Sequence, residues 1–145
     1  MIQELIKSTA VKDIMTSPVV TVSDADEFHV VQDKFTTYDI RHLPVIDANN
    51  RVVGLISQRH LYKIHSPRRL ESGEWFYDKD LLDGFILRNV MIKDVYTLKA
   101  DAKLEELMKI MIQFKYGCVT IVDDIDRPIG IITRDSVINF FLTHA

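Results

Sequence analysis

Few residues in this sequence are of types that perform covalent or metal chemistry, and their spacing argues against it. The histidines, His29, His42, His60, His65 and His144, form no H-x-x-x-H pair and have no cysteine cluster beside them, so no zinc site is expected. The one cysteine, Cys118, falls in an apolar run that reads as a buried strand, where an inert structural thiol is the default. No G-x-S-x-G, G-x-x-x-x-G-K-[ST] or G-x-G-x-x-G pattern is present. The expectation is therefore no catalytic residue, no metal and no cofactor. What remains is polar chemistry at element boundaries. Asp135 falls in the first turn of an expected helix, where the dipole favours a carboxylate, Arg134 precedes it, and Arg41 and His42 lead into an expected strand. By themselves Arg41 and Arg134 read equally well as solvated charges, and His42 as a ring packed at a sheet edge.

The bulk numbers set the frame for these residues. A chain of 145 residues with 47% hydrophobic and 27% charged residues fits one globular domain or two small halves. A net charge of −3 argues against general nucleic-acid binding. No apolar run reaches the roughly 18 to 20 residues that a membrane-spanning helix needs. The amphipathic start, Met1 to Lys7, lacks a signal-peptide core. A lone cysteine, with no partner for an internal disulfide, fits a reducing compartment, and a cytoplasmic location is expected.

The elements that must position these residues come in two copies. Residues 11–64 align with 87–140 at a constant offset of 76 without a gap, with seven identities: Met15/Met91, Val19/Val95, Thr21/Thr97, Asp47/Asp123, Arg51/Arg127, Gly54/Gly130 and Ile56/Ile132. Each copy opens on a short apolar strand, at Val19–Val22 and Val95–Leu98. A helix with apolar residues at i, i+3 and i+7 follows, at Phe28, Val31 and Phe35, and at Leu104, Leu107, Met108 and Met111. Asp26 and Asp101 are expected N-caps. Two strands joined by Asp47–Asn50, or by Asp123–Asp126, come next, and a closing helix starts near Ser57 or Thr133.

The fold class expected is α+β: two βαββα repeats packed face to face with pseudo-twofold symmetry, since each three-stranded sheet leaves an apolar face to cover. The expected organisation is a helical extension over residues 1–10, repeats over 11–64 and 87–145, and a linker over 65–86. His65-Ser66-Pro67-Arg68-Arg69 should break the preceding helix, Leu81-Leu82 with Phe85-Ile86 suggests a short amphipathic helix, and Trp75-Phe76-Tyr77 reads as a cover over the core edge or a partner contact.

Both copies resemble the CBS domain, a regulatory module that occurs in tandem pairs. The resemblance rests on Asp13-Ile14-Met15, Leu43-Pro44-Val45-Ile46-Asp47 and Gly54-Leu55-Ile56-Ser57. In the second copy it rests on Asn89-Val90-Met91, Val119-Thr120-Ile121-Val122-Asp123 and Gly130-Ile131-Ile132-Thr133-Arg134-Asp135. It covers nearly the whole chain apart from the first ten residues and 65–86.

The resemblance implies a cleft between the repeats that binds an adenosine-containing ligand (AMP, ADP, ATP or S-adenosylmethionine), a homodimer, and regulation of a partner protein in trans. It also implies roles for residues. Asp135 matches the family's aspartate, whose acceptor-only carboxylate suits the two ribose hydroxyls, and the helix start suits a phosphate. Thr133 becomes a phosphate or ribose contact, although it stands closer to Asp135 than the family's Thr/Ser-x-x-Asp spacing. Thr16, Ser17, Pro18 and Val19 would wall the adenine, and Ile40, Arg41 and His42 would lie near the ribose and phosphates, with Ile131 and Arg134 completing the set. The other site departs from the pattern. Arg59 replaces the aspartate and offers donors alone, so a weaker site is expected from Ser57, Arg59, Tyr116, Gly117 and Cys118. The competing expectation is a ligand-free interaction and dimerisation scaffold.

Overall fold

The computed structural model describes residues 1–64, 68–69, 71–73, 75–76 and 86–144. The chain divides into two compact units, and neither is continuous in sequence. One comprises Met1–Val19, Asn50–Val52 and Tyr96–Ala145, and the other Val20–Asn49 and Val53–Val95.

In the unit built on the first repeat, β1 (Val22–Ser23), α2 (Phe28–Tyr38), β2 (His42–Ile46), β3 (Val52–Ser57) and α3 (Gln58–Ile64) follow the expected order. After α4 (Leu87–Val90) the short β6 (Ile92–Lys93) completes a sheet in the order β1-β2-β3-β6. The β1 strand runs parallel to β2, pairing Val22 with Val45, and β6 runs antiparallel to β3, pairing Leu55 with Ile92 and Gly54 with Lys93. Phe28, Val31 and Phe35 of α2 are buried with Leu43, Val45, Ile56, Leu61 and Leu87. The i, i+3, i+7 spacing has thus put one apolar stripe on the sheet.

The second repeat supplies β7 (Thr97–Lys99), α5 (Leu104–Phe114), β8 (Cys118–Val122), β9 (Pro128–Thr133) and α6 (Arg134–His144), with the sheet order β7-β8-β9. Its core gathers Leu98, Leu104, Leu107, Val119, Ile121, Ile132 and Phe140. The N-terminal α1 (Ile2–Ser8) and a single 3-10 turn (Val11–Asp13) belong to this unit, and Leu5, Ile6, Val11 and Ile14 pack on its core. A small antiparallel pair, β4 (Arg68–Arg69) with β5 (Trp75–Phe76), lies between the repeats. The expected break at His65-Ser66-Pro67, the expected helix through Leu81-Leu82-Phe85, and Tyr77 lie outside the described residues, as do the side chains of Trp75 and Phe76.

The offset of 76 carries down to single dihedrals. Val22 pairs with Val45 as Leu98 pairs with Ile121. Both repeat-opening helices end on a left-handed residue, Asp39 at φ 50° and Lys115 at φ 58°. Both strand-joining turns contain one as well, Asn50 at φ 63° and Asp126 at φ 64°. The identity Asp123/Arg127 is explained by the second turn. The Asp123 carboxylate accepts from the amides of Ile125 and Arg127 at 3.0 and 2.9 Å and from the Arg127 Nε at 2.8 Å. The backbone bond from Arg127 leads the interactions that hold this carboxyl below its usual range.

Two expectations change. The opening strands are shorter and lie further along than expected, at Val22–Ser23 and Thr97–Lys99, because the residues just before them belong to loops. The helix caps are Glu27 and Lys103 without side-chain bonds. Asp26 instead accepts from the Ser23 amide at 2.8 Å, closing the loop, so its carboxylate is spent before the helix begins. The closing helices do start as expected. Ser57 Oγ accepts from the His60 amide at 3.0 Å, and Thr133 Oγ1 from the Ser136 amide at 3.2 Å.

Gly54 and Gly130 are identical for a steric reason. A Cβ at Gly54 would stand 2.6 Å from the Met91 Sδ and 2.7 Å from the Ile92 carbonyl oxygen, and a Cβ at Gly130 would fall on the Met15 side chain. Each methionine near the start of a repeat is seated on the glycine of the other repeat's last strand. Gly130→Ala should therefore destabilise the protein by about 1–3 kcal/mol. In urea titrations, Met15→Ala combined with Gly130→Ala should cost less than the two single changes summed. Thr120 poses a different packing problem. It is 1% exposed, and among the described residues its Oγ1 has no hydrogen-bond partner. Thr120→Val should raise stability by about 1 kcal/mol, read as a higher urea midpoint at unchanged slope.

Candidate functional site

The strongest convergence of sequence-selected residues lies at the end of β9 in the unit built on the second repeat. The opening segment of the first repeat arrives there as a bridge. Thr16 donates its amide to the Ile131 carbonyl at 2.9 Å, and Ile131 donates back to the Thr16 carbonyl at 3.1 Å. Two residues on, Thr133 caps α6, and the amide of Arg134 donates to the Gly117 carbonyl at 3.1 Å. One short stretch of surface thus brings together Thr16, Gly117, Ile131, Thr133, Arg134 and Asp135. Ser17 and Pro18 are exposed, their peptide bond is cis, and Val19 is half-buried.

Hydrogen-bond accounting shows what this ledge can offer. The first-turn amides of Arg134 and Ser136 are already bonded, to Gly117 and to the Thr133 hydroxyl. The Ser136 hydroxyl lies 3.1 Å from the Thr133 hydroxyl and accepts from the Thr133 amide at 3.3 Å. Thr133 is therefore engaged in a reciprocal cap, which reduces what it can give a ligand. Asp135 is different. It is exposed, and among the described residues its carboxylate has no hydrogen-bond or ion-pair partner. On an ordered helix start the ledge presents a double acceptor that, like the Asp135 amide beside it, has no bond among the described residues.

The unit built on the first repeat has the matching arrangement with different chemistry. The Gln58 amide donates to the Arg41 carbonyl at 2.9 Å, and Ile92 lies on Leu55 where Thr16 lies on Ile131. Arg59, exposed, stands where Asp135 stands. Ile40 and His42 are half-buried and Arg41 is exposed, and all three belong to this unit together with Ser57 and Arg59. Backbone bonding thus joins Arg41 to α3 and Gly117 to α6, so each unit keeps its own loop before the second strand.

Of the residues expected at the weaker site, Cys118 is fully buried and burial pushes its thiol up to about 12. The Tyr116 ring stacks on Phe114 at 5.6 Å, and Phe114 on Tyr96 at 5.2 Å, a surface ladder of three rings that the sequence did not single out. Nor did it single out a groove of about 460 Å³ between α5 and α6, lined by apolar side chains with Lys115 and Arg134. Among the described residues no group of His, Cys, Asp and Glu is arranged to hold a metal ion, and no helix is long and apolar enough to cross a membrane. The Cys118 thiol should be silent to a thiol reagent at pH 8 in the native protein and should react as one equivalent per chain after denaturation, followed by absorbance.

The family model for the CBS domain matches residues 11–66 and again residues 87–143. Among curated proteins, the inosine-5'-monophosphate dehydrogenase of Methanocaldococcus jannaschii is 29% identical over 126 residues, which is 87% of this chain and 22% of that protein. The L-aspartate semialdehyde sulfurtransferase of the same organism is 23% identical over 133 residues, covering 92% of this chain and 23% of that one. The chain thus spans about a quarter of the length of these curated relatives. Among solved structures, the CBS domain pair of protein MJ0100, in complex with 5'-methylthioadenosine and S-adenosyl-L-methionine, has a TM-score of 0.77 at 22% identity over 94% of this chain and 98% of that one. CBSX2 of Arabidopsis thaliana, in complex with AMP, has a TM-score of 0.76 at 21% identity, again over 94% and 98%. At these identities the likeness to the solved structures is one of fold.

Proposed function

The chain belongs to the CBS domain family, and from that premise we propose that it is a non-enzymatic regulatory module that binds an adenosine-containing ligand at the Asp135 ledge and signals to a partner protein. The observation that carries this reading is the Asp135 carboxylate, exposed and without a partner among the described residues, beside the Thr16–Ile131 bridge. Two adjacent ribose hydroxyls supply the donors that such a carboxylate lacks. The exposed Thr16–Pro18 backbone gives an adenine edge a fixed surface to lie on. Support comes from the solved CBS pairs, two of which are complexes with adenosine compounds. With the Asp135 amide unbonded among the described residues, the ledge favours recognition of the nucleoside, and phosphate selectivity then falls to side chains such as Arg134. Arg59 in the place of the aspartate makes the first repeat's own ledge the weaker one.

A ligand that binds the folded state alone stabilises it by about 2.7 kcal/mol at a hundredfold excess over Kd. Thermal unfolding with adenosine, AMP, ADP, ATP and S-adenosylmethionine should therefore raise the Tm for at least one of them, and Asp135→Ala should abolish that rise. Arg134→Ala should narrow the preference for phosphorylated ligands over adenosine. No shift with any of the five compounds would leave the scaffold reading standing. A shift surviving in Asp135→Ala would move the site elsewhere.

A further inference from the structure

Five methionines and one cysteine carry the sulfur of this chain, and their surroundings set what an oxidant can do with each. Cys118 is fully buried with its thiol held protonated, which makes it a poor nucleophile toward peroxide. A thioether needs no deprotonation, because its sulfur lone pair attacks a hydroperoxide directly. Met1 is exposed, and an added oxygen there displaces no packed neighbour. Met108 lines the open groove beside α5, where one more atom has space, and Met111 is buried in the core. Met15 and Met91 differ from these. Both are half-buried, and both are seated on a glycine.

The Met15 seat has no room for a further atom on its strand side. A Cβ on Gly130 would fall on the Met15 Sδ and stand 2.8 Å from its Cγ, so the thioether lies directly on the strand backbone. On its other sides Met15 packs against the cluster that holds Val11, Ile121 and Ile132. An oxygen bonded to Sδ therefore meets either the strand or an apolar lining. A sulfoxide is strongly polar, and apolar side chains offer it no hydrogen-bond donor. The relief is for Met15 to leave its seat. Thr16, next in the chain, then loses both of its backbone bonds to Ile131.

We propose that Met15 is a modification site, at which a hydroperoxide oxygenates the sulfur and the sulfoxide releases the opening segment from β9. The Sδ lone pair attacks the peroxide oxygen that carries the proton, the O–O bond breaks, and that proton passes to the departing oxygen. With hydrogen peroxide the by-product is water. Sulfur is oxidised by two electrons and the peroxide reduced by two, and a dithiol with a sulfoxide reductase reverses the step, yielding a disulfide and water. The inference stands apart from ligand binding at the ledge.

Brief treatment of the full chain with hydrogen peroxide, followed by peptide mass mapping, should place one oxygen on Met15 well before Met111. The rate should be the same between about pH 6 and 8, since no thiolate is involved. In chains so oxidised, amide hydrogen exchange at Thr16 and Ile131 should quicken about tenfold or more, while Leu107 and Ile110 of α5 stay protected. Methionine sulfoxide reductases of both epimer classes, supplied with dithiothreitol, should restore slow exchange. Met15→Leu should keep slow exchange at Ile131 under peroxide. If that variant does not fold, the wild-type mapping and exchange decide the matter without it. The proposal is overturned by a Met15 that stays unmodified until Met111 reacts, by exchange at Ile131 that its oxidation leaves unchanged, or by exchange that rises equally across α5. Peroxide acting on folded Met15→Leu as it does on the wild type would overturn it as well.

Discussion

The opening segment that reaches the candidate site depends on a methionine lying on a glycine, and the other unit repeats the arrangement. Met15 can cross Gly130, and Met91 can cross Gly54, because those strand positions carry no side chain. With the methionine seated, the next residue reaches the strand and bonds to it, Thr16 to Ile131 and Ile92 to Leu55. A single methyl group at either glycine must push aside a thioether held among core residues, and in the first repeat a backbone carbonyl as well. The ledge beside Asp135 is a consequence of that packing: Thr16 has a fixed position because Met15 has one.

Much of the fold was legible because the repeat supplied two readings of every element. The buried stripes of α2 and α5, the Asp-led turns and the Ser57 and Thr133 caps all follow from spacing and residue type. The caps at the other two helices were not legible. Asp26 and Asp101 have the right chemistry, but a carboxylate near a helix start can equally close the loop before it, as Asp26 does on Ser23, and the choice rests on dihedrals that composition does not encode. The exchange of opening segments between the units was likewise invisible to spacing. The identical Met and Gly pairs were in view, but nothing local says that a residue at 15 will pack on one at 130.

The site was legible in kind and less so in detail. The contrast between Asp135 and Arg59 is a sequence fact, and the structure adds that Asp135 has no competing partner among the described residues while Thr133 does. The Cys118 side chain lies in the core, where desolvation keeps its thiol protonated. The apolar groove escaped notice because Met108 fits the helical core pattern as well as Met111 does. Burial separates them: Met111 is buried, whereas Met108 is half-exposed at the groove.

The exchanged segments also order events in time. The unit built on the first repeat is assembled from residues between Val20 and Val95, whereas the other needs both Met1–Val19 and the stretch from Tyr96 onward. During synthesis from the N-terminus, residues 1–19 emerge well before β9 and must wait for it, more than a hundred residues later, before Met15 and Thr16 find their strand. Loop closure over such a span is slow compared with local hairpin and helix formation. The segment next to Asp135 is therefore made long before the strand that fixes it, and the ledge comes into being only when that strand arrives.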